Sequence, residues 1–251
     1  MSLRLLPDGT SLPASLSFPK LRYLSLDTSS SSLAFLSRCP ALECVKLFYY
    51  PGAVYAFGFN QFEDMCQALK RGGSNKTLRI LDFAGHSWST RLYLLAATKL
   101  TQLPLESLEV VNMNHSPLNH PPELLEDVIN QLLNSVPTLR ALGLLQTTPG
   151  YDPSGDDQDQ WKLRSIAWEA GIVEHIWPRG PKLDYISFAG KESGIVRRLW
   201  TADIISSPHD PTKTSYQARL LQETVLCGSR FEGAHSGFPL AVDEAWAEFV
   251  D

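Results

Sequence analysis

Apolar residues recur along this chain as Leu-x-x-Leu-x-Leu or a close variant, with polar and small residues filling the gaps. The pattern stands at Leu21, Leu24, Leu26; Leu42, Val45, Leu47; Leu78, Leu81, Phe83; and Leu108, Val111, Met113. It returns at Leu139, Leu142, Leu144; Leu163, Ile166, Trp168; and Leu183, Ile186, Phe188. The last two apolar positions of each signature lie two apart, which is the alternation of a strand, so seven short strands are predicted. Between signatures the period changes. Leu124, Leu125, Val128, Ile129, Leu132, Leu133 and Val136 recur at three-to-four spacing, predicting a helix over 123–136 bounded by Pro121-Pro122 and Pro137. A second helix is predicted over 60–71, with Gly72-Gly73 ending it, and a third over 89–100, while 33–37 allows a turn or two.

Strand then helix, repeated, predicts an α/β chain with parallel strands joined by right-handed crossovers. A unit of this size cannot bury its apolar edge alone, so neighbours must stack on one continuous core. Residues 1–205 are expected to hold about seven such repeats. Two polar stretches escape the pattern: the acidic, turn-rich 149–160 and the segment 206–215. The remainder, 206–251, reads as a loop followed by a helical cap or tail, with helices at 216–226 and near 242–250.

The signatures resemble the leucine-rich-repeat superfamily over roughly 18–191. That family repeats every 20–29 residues or so, and three of the six steps here fit while three are longer. Phrases such as Phe18-Pro19-Lys20-Leu21-Arg22-Tyr23-Leu24, Cys39-Pro40-Ala41-Leu42-Glu43 and Val136-Pro137-Thr138-Leu139-Arg140 are similar to those of fungal F-box-like proteins with ribonuclease-inhibitor-like repeats. The resemblance implies a solenoid curved into a horseshoe, a right-handed β/α superhelix with irregular repeats and its strands inside. It also implies a substrate-recognition module of a ubiquitin ligase. Two features depart from the family. Its Asn or Cys after the strand is replaced by Ser29, Tyr50, His86, Ser116, Thr147, Gly171 and Lys191, and only a short stretch without an F-box precedes the first signature.

Composition narrows the function classes. The net charge is −5 and no basic stripe appears, which argues against a nucleic-acid surface. No apolar run approaches the roughly 18 residues needed to cross a bilayer, and the apolar part of the N-terminus is too short for a secretory signal. Cys39, Cys44, Cys66 and Cys227 lack metal-ligand spacing and read as reduced thiols, so an intracellular location, cytoplasmic or nuclear, is expected. The sequons Asn75-Lys76-Thr77 and Asn114-His115-Ser116 are then chance matches.

Catalytic signatures are missing: the sequence has no nucleophile elbow, zinc-protease motif, phosphate loop or dinucleotide fingerprint. Asp152, Ser154 and Asp156 imitate the start of a calcium loop, but Asp157 stands where its glycine belongs and Leu163 where its closing Glu belongs. No catalytic residue, cofactor or metal site is therefore assigned, and the sequence sets no oligomeric state. A hydrolase assembled from long loops and a scaffold remnant without a ligand are the rival readings.

Alternation places the third, fifth and seventh signature positions on the face away from the core. Tyr23, Lys46, Phe48, Ile80, Asp82, Val110, Asn112, Asn114, Leu145 and Tyr185 stand there, and they are the expected contacts with a protein partner. Phe48, Ile80, Val110 and Leu145 form an apolar middle with a polar and aromatic rim, the usual mark of a partner site. The alternative is that the C-terminal tail folds back over it. Second positions read Arg22, Glu43, Arg79, Glu109, Arg140, Arg164 and Asp184, so charge alternates from strand to strand and fails once, at Arg140–Arg164.

Overall fold

The computed structural model describes residues 2–4, 16–27, 30–48, 59–82, 98, 105, 107–112, 122–145, 158–180, 182–191, 195–206 and 214–226. They form an α/β arrangement on a nine-stranded sheet whose strands lie side by side in chain order. Strands β1 (Ser2–Arg4), β2 (Tyr23–Asp27), β3 (Cys44–Phe48), β4 (Ile80–Asp82), β5 (Val110–Asn112), β6 (Ala141–Leu145) and β7 (Tyr185–Lys191) are parallel. Strands β8 (Ile195–Ser206) and β9 (Thr214–Leu226) follow as an antiparallel hairpin. Helices α1 (Ser30–Phe35), α2 (Phe59–Gly72), α3 (Pro122–Ser135) and α4 (Gln158–Ile176) occupy crossovers between parallel strands.

Six of the seven signatures fall on strands, and their fourth positions enter one core. Leu24, Val45, Leu81, Val111, Leu142 and Ile186 are fully buried there with Leu33, Phe62, Met65, Leu69, Ile129, Leu132, Ile172 and Val173 from the helices. The close fit is visible at Gly72, where a Cβ would stand 2.7 Å from the carbonyl oxygen of Leu36. Only glycine lets the end of α2 approach that backbone, and Gly73 then turns the chain at φ 80°. The predicted helix over 89–100 lies outside the described residues except for Thr98, as do the calcium-like positions and most of the acidic stretch.

Two expectations fail. Leu163, Ile166 and Trp168 belong to helix α4, not to a strand. The buried positions Ser165, Glu169, Ile172, Val173 and Ile176 recur at helical spacing, whereas Leu163 is 66% exposed. Trp168 still packs on the core, edge-on to Phe188 at 6.1 Å. The helix predicted over 216–226 is instead β9. Tyr216 and Ala218 face the core, Gln217 and Arg219 face solvent, and β9 pairs with β8 along its whole length. A helical stripe there needs Leu220 and Leu221 buried, and both are exposed. The hairpin spans the 205/206 boundary and joins the two segments in a single sheet.

Helix α4 is tied to the hairpin by buried charge. Glu169 on α4 accepts hydrogen bonds from Arg198 Nη1 at 3.1 Å and Trp200 Nε1 at 2.7 Å. Arg198 Nε also donates to Glu223 on β9 at 2.7 Å, and Lys162 donates to the other oxygen of Glu223. Burial pushes the Glu223 carboxyl up, but the hydrogen bonds from Lys162 and Arg198 outweigh it and hold the group below the usual carboxylate range. Glu169 and Arg198 are 0% and 1% exposed, so neither charge is solvated by water. Replacing Arg198 with alanine leaves Glu169 buried without its guanidinium, and the expected loss of folding stability is about 3–5 kcal/mol. Urea titration of the variant measures this, and a loss below about 1 kcal/mol, the level of an exposed pair, shows that the network carries no stability.

Candidate functional site

The strand register carries the third and fifth signature positions across the sheet as two straight rows. The first row runs Tyr23, Cys44, Ile80, Val110, Ala141, Tyr185, each the lateral partner of the next. The second runs Ser25, Lys46, Asp82, Asn112, Gly143, Ser187. Val110 and Ala141 form an apolar cluster of their own, with Ile80 and Tyr185 packed against them, apart from the core that receives the helices. Lys46 Nζ stands 3.7 Å from Asp82 Oδ2 in the second row.

This face is less open than alternation alone implies. Val110 is 7% exposed, Ala141 1%, and Cys44, Asp82 and Ser187 are fully buried. Tyr23, Lys46, Ile80 and Tyr185 are half-buried. The expected open middle is thus corrected at Val110 and Asp82, because neighbours at strand spacing, about 4.8 Å, shield one another and small side chains lie below larger ones. Phe48, Asn112 and Leu145 lie on described strands, but their side chains fall outside the described residues, and so does Asn114 altogether. The sequence reading also missed the Lys46–Asp82 pair, although consecutive fifth positions of opposite sign were there to be seen.

Titration follows the burial. Desolvation, helped by the Asp184 carboxylate, pushes the Tyr185 hydroxyl up to about 12. Burial raises Tyr23 too, with Glu43 adding to it. The Cys44 thiol is raised by burial and by the nearby Asp82 charge, and burial pushes Cys39 up to about 12. Cys39 belongs to the core and Cys44 to the other face, so the two thiols do not share a site. Cys39, Cys44 and Cys66 are buried and take part in no disulfide. Among the described residues no three His, Cys, Asp or Glu side chains gather as a metal site. Asn75 is 4% exposed and Thr77 Oγ1 donates to the Leu42 carbonyl at 2.7 Å, which leaves that sequon no room for a glycan.

One rim of the sheet is ionic. Because Arg164 sits on α4, the second positions that meet on strands read Arg22, Glu43, Arg79, Glu109, Arg140, Asp184, and the alternation is complete. The expected failure at Arg140–Arg164 disappears, since Arg140 is followed by Asp184. Arg22 Nε approaches Glu43 at 3.4 Å, Arg79 Nη2 meets Glu109 at 2.7 Å, and Arg140 Nη2 meets Asp184 at 2.6 Å. The Glu109 hydrogen bond raises the Arg79 pKa above the ordinary arginine value. Arg79, Glu109, Arg140 and Lys182, with the hydroxyls of Ser107 and Thr138, line an open groove of about 680 Å³ along this rim.

Two outcomes follow. Arg79→Glu places three carboxylates in line with Glu43 and Glu109, and should cost up to about 1 kcal/mol at low salt, less at high salt. Adding Glu109→Arg relieves the 79–109 junction but puts like charges at 109–140. Two like-charged junctions then remain, so little of the loss should return. An Arg79→Glu variant as stable as wild type at low salt shows that the alternation has no energetic meaning. The second outcome concerns alkali. Groups whose pKa rises on folding favour the protonated form, so their contribution is complete below the ordinary values of 9.0 for thiol and 10.0 for tyrosine. It is lost as pH climbs through the folded values of about 12. Thermal stability should therefore decline from pH 9 to 12, and Tyr185→Phe should flatten the upper part of that decline. An identical slope for variant and wild type removes Tyr185 from the account.

No family model and no curated protein matches this chain. Among solved structures, the biosynthetic arginine decarboxylase of Campylobacter jejuni is similar with a TM-score of 0.24 and 12% identity, over 74% of this chain and 38% of that one. This chain thus spans well under half of that protein's length. A likeness so slight carries no argument about fold or activity.

Proposed function

We propose that this chain is a leucine-rich-repeat solenoid that works without catalysis and binds a protein partner on the sheet face bearing Tyr23, Lys46, Ile80, Asp82, Val110 and Tyr185. The observation that carries the reading is the separate apolar cluster of Ile80, Val110, Ala141 and Tyr185, in lateral register on the face away from the helices. Ile80 and Tyr185 are half-buried on that row beside buried Val110 and Ala141, and their remaining apolar surface with its polar edges is what a partner would cover. Phe48, Asn112, Asn114 and Leu145 extend the proposed contact along the same sequence pattern. The narrower form of the reading is substrate recognition for a ubiquitin ligase, and it rests on the resemblance of the repeats to F-box-like proteins.

The test is capture by tagged full-length protein with mass-spectrometric identification. Tyr23→Lys combined with Ile80→Lys should abolish enrichment of the partner while the protein still melts cooperatively. Asp64→Lys, on an exposed position of α2, should leave enrichment unchanged. Loss of the same partner from both variants, or from neither, places the binding surface elsewhere. Recovery of a ubiquitin-ligase adaptor, reproducibly and dependent on the chain, is the outcome that the narrower form requires.

A further inference from the structure

We propose that the groove along the ionic rim is a phosphoryl-binding site, built for the phosphorylated side chain of a peptide. It lies beside the sheet face considered above and does not depend on a partner binding there. Arg79, Arg140 and Lys182 line the groove with a single carboxylate, Glu109. The chain as a whole is acidic, at −5. A local excess of positive charge on such a chain gathers anions where the rest of the surface repels them.

The two arginines are only partly engaged. Arg79 meets Glu109 through Nη2, and Arg140 meets Asp184 through Nε and Nη2. Each keeps its Nη1 group, and a guanidinium can hold a second oxyanion beside the first. Their side chains are 54% and 57% exposed, so water screens both pairs and re-aiming costs little. Lys182 makes no hydrogen bond or ion pair among the described residues. Its place in the repeat is the second sign. The residues leading into β4, β5 and β6 at this position are Thr77, Ser107 and Thr138, whose hydroxyls donate to the carbonyls of Leu42, Lys76 and Leu108. Before β7 a lysine stands there instead, and an ammonium on an exposed rim adds nothing to that seam.

Continuing the β6–β7 register puts Lys182 beside Thr138 and Asp184 beside Arg140. Lateral neighbours are about 4.8 Å apart, so an oxyanion above Thr138 is within reach of both the Lys182 and Arg140 side chains. Arg79 stands two strands away along the same rim. Glu109, between the arginines, is bound by Arg79 at 2.7 Å, which offsets its repulsion.

Charge and hydrogen bonding choose the ligand. A phosphorylated side chain carries roughly −1.5 to −2 charges at pH 7, with several acceptor oxygens, and gains more from these cations than a carboxylate does. The Ser107 and Thr138 hydroxyls spend their hydrogens on carbonyls at 2.9 and 2.7 Å, so toward the groove they can only accept. Peptide N–H groups supply the donors they lack, whereas a free phosphate dianion has none. A volume of about 680 Å³ admits such a side chain with its flanking peptide groups.

Calorimetric titration of the full-length protein tests this with a capped Ala-phosphoserine-Ala peptide, its Ser and Glu analogues, and inorganic phosphate. The phosphopeptide should bind at a single site per chain, and the other probes at least about tenfold more weakly. Lys182→Glu should weaken the phosphopeptide by at least about tenfold with thermal melting unchanged, because the side chain has no pair to lose. Lys70→Glu makes the same change of net charge on an exposed position of α2, and should leave the affinity within about twofold. Equal losses from the two variants reduce the effect to overall charge and overturn the proposal. So does a phosphopeptide that binds no better than its Ser or Glu analogue. Inorganic phosphate that binds as tightly as the phosphopeptide overturns the assignment to a peptide.

Discussion

At each junction between signature strands, the carbonyl of the second position takes two N–H donors from the next strand. Glu43 and Cys44 donate to Arg22 at 2.8 and 3.0 Å, Arg79 and Ile80 to Glu43 at 2.8 and 2.9 Å, and Glu109 and Val110 to Arg79 at 2.8 and 2.9 Å. Arg140 and Ala141 repeat this on Glu109 at 2.7 and 3.0 Å, and Asp184 and Tyr185 on Arg140 at 2.7 and 3.4 Å. A strand of three to five residues cannot satisfy its own backbone, so each depends on its neighbour for the polar groups that folding takes out of water. The Thr77 and Thr138 hydroxyls tighten the same seam by donating to the carbonyls of Leu42 and Leu108 at 2.7 Å. That shared junction fixes the register, and the register in turn produces the core, the two rows and the rim.

The core and the face were legible to different degrees for physical reasons. Fourth positions such as Leu24, Leu81 and Ile186 are apolar whatever their neighbours do, so burial could be read from each signature singly. Exposure on the opposite face is a property of sets of residues. Val110 faces away from the core by alternation and yet is buried, because its lateral neighbours decide it, and no local spacing encodes them. The stretch 158–176 misled for another reason: Leu163, Ile166 and Trp168 satisfy the strand spacing by accident inside a longer helical period that reaches Ile176. The longer pattern decides the fold there, since helix α4 carries buried positions at Ser165, Glu169, Ile172, Val173 and Ile176. The hairpin was missed because Leu220 and Leu221 broke the alternation of β9, near the register shift opposite Leu199 and Trp200.

The β9 end of the sheet is guarded against a further strand. On the β9 side the Ala218 N–H donates to the Glu174 carboxylate of α4 at 3.0 Å, so a helix side chain occupies a donor that a foreign strand needs. Arg219 and Asp203 add a charged pair across the hairpin. Together with the buried Arg198 network, these contacts make the hairpin and α4 one terminal unit that ends the parallel series.

The complete alternation on the rim also constrains how such a chain can lengthen or shorten. Copying one strand with its connection sets two arginines or two carboxylates side by side, while copying two adjacent ones preserves every opposite-sign neighbour. Deletion obeys the same parity. Between β2 and β7 a change of two strands with their connections thus keeps the rim's charge order, whereas a change of one leaves a like-charged junction that costs up to about 1 kcal/mol.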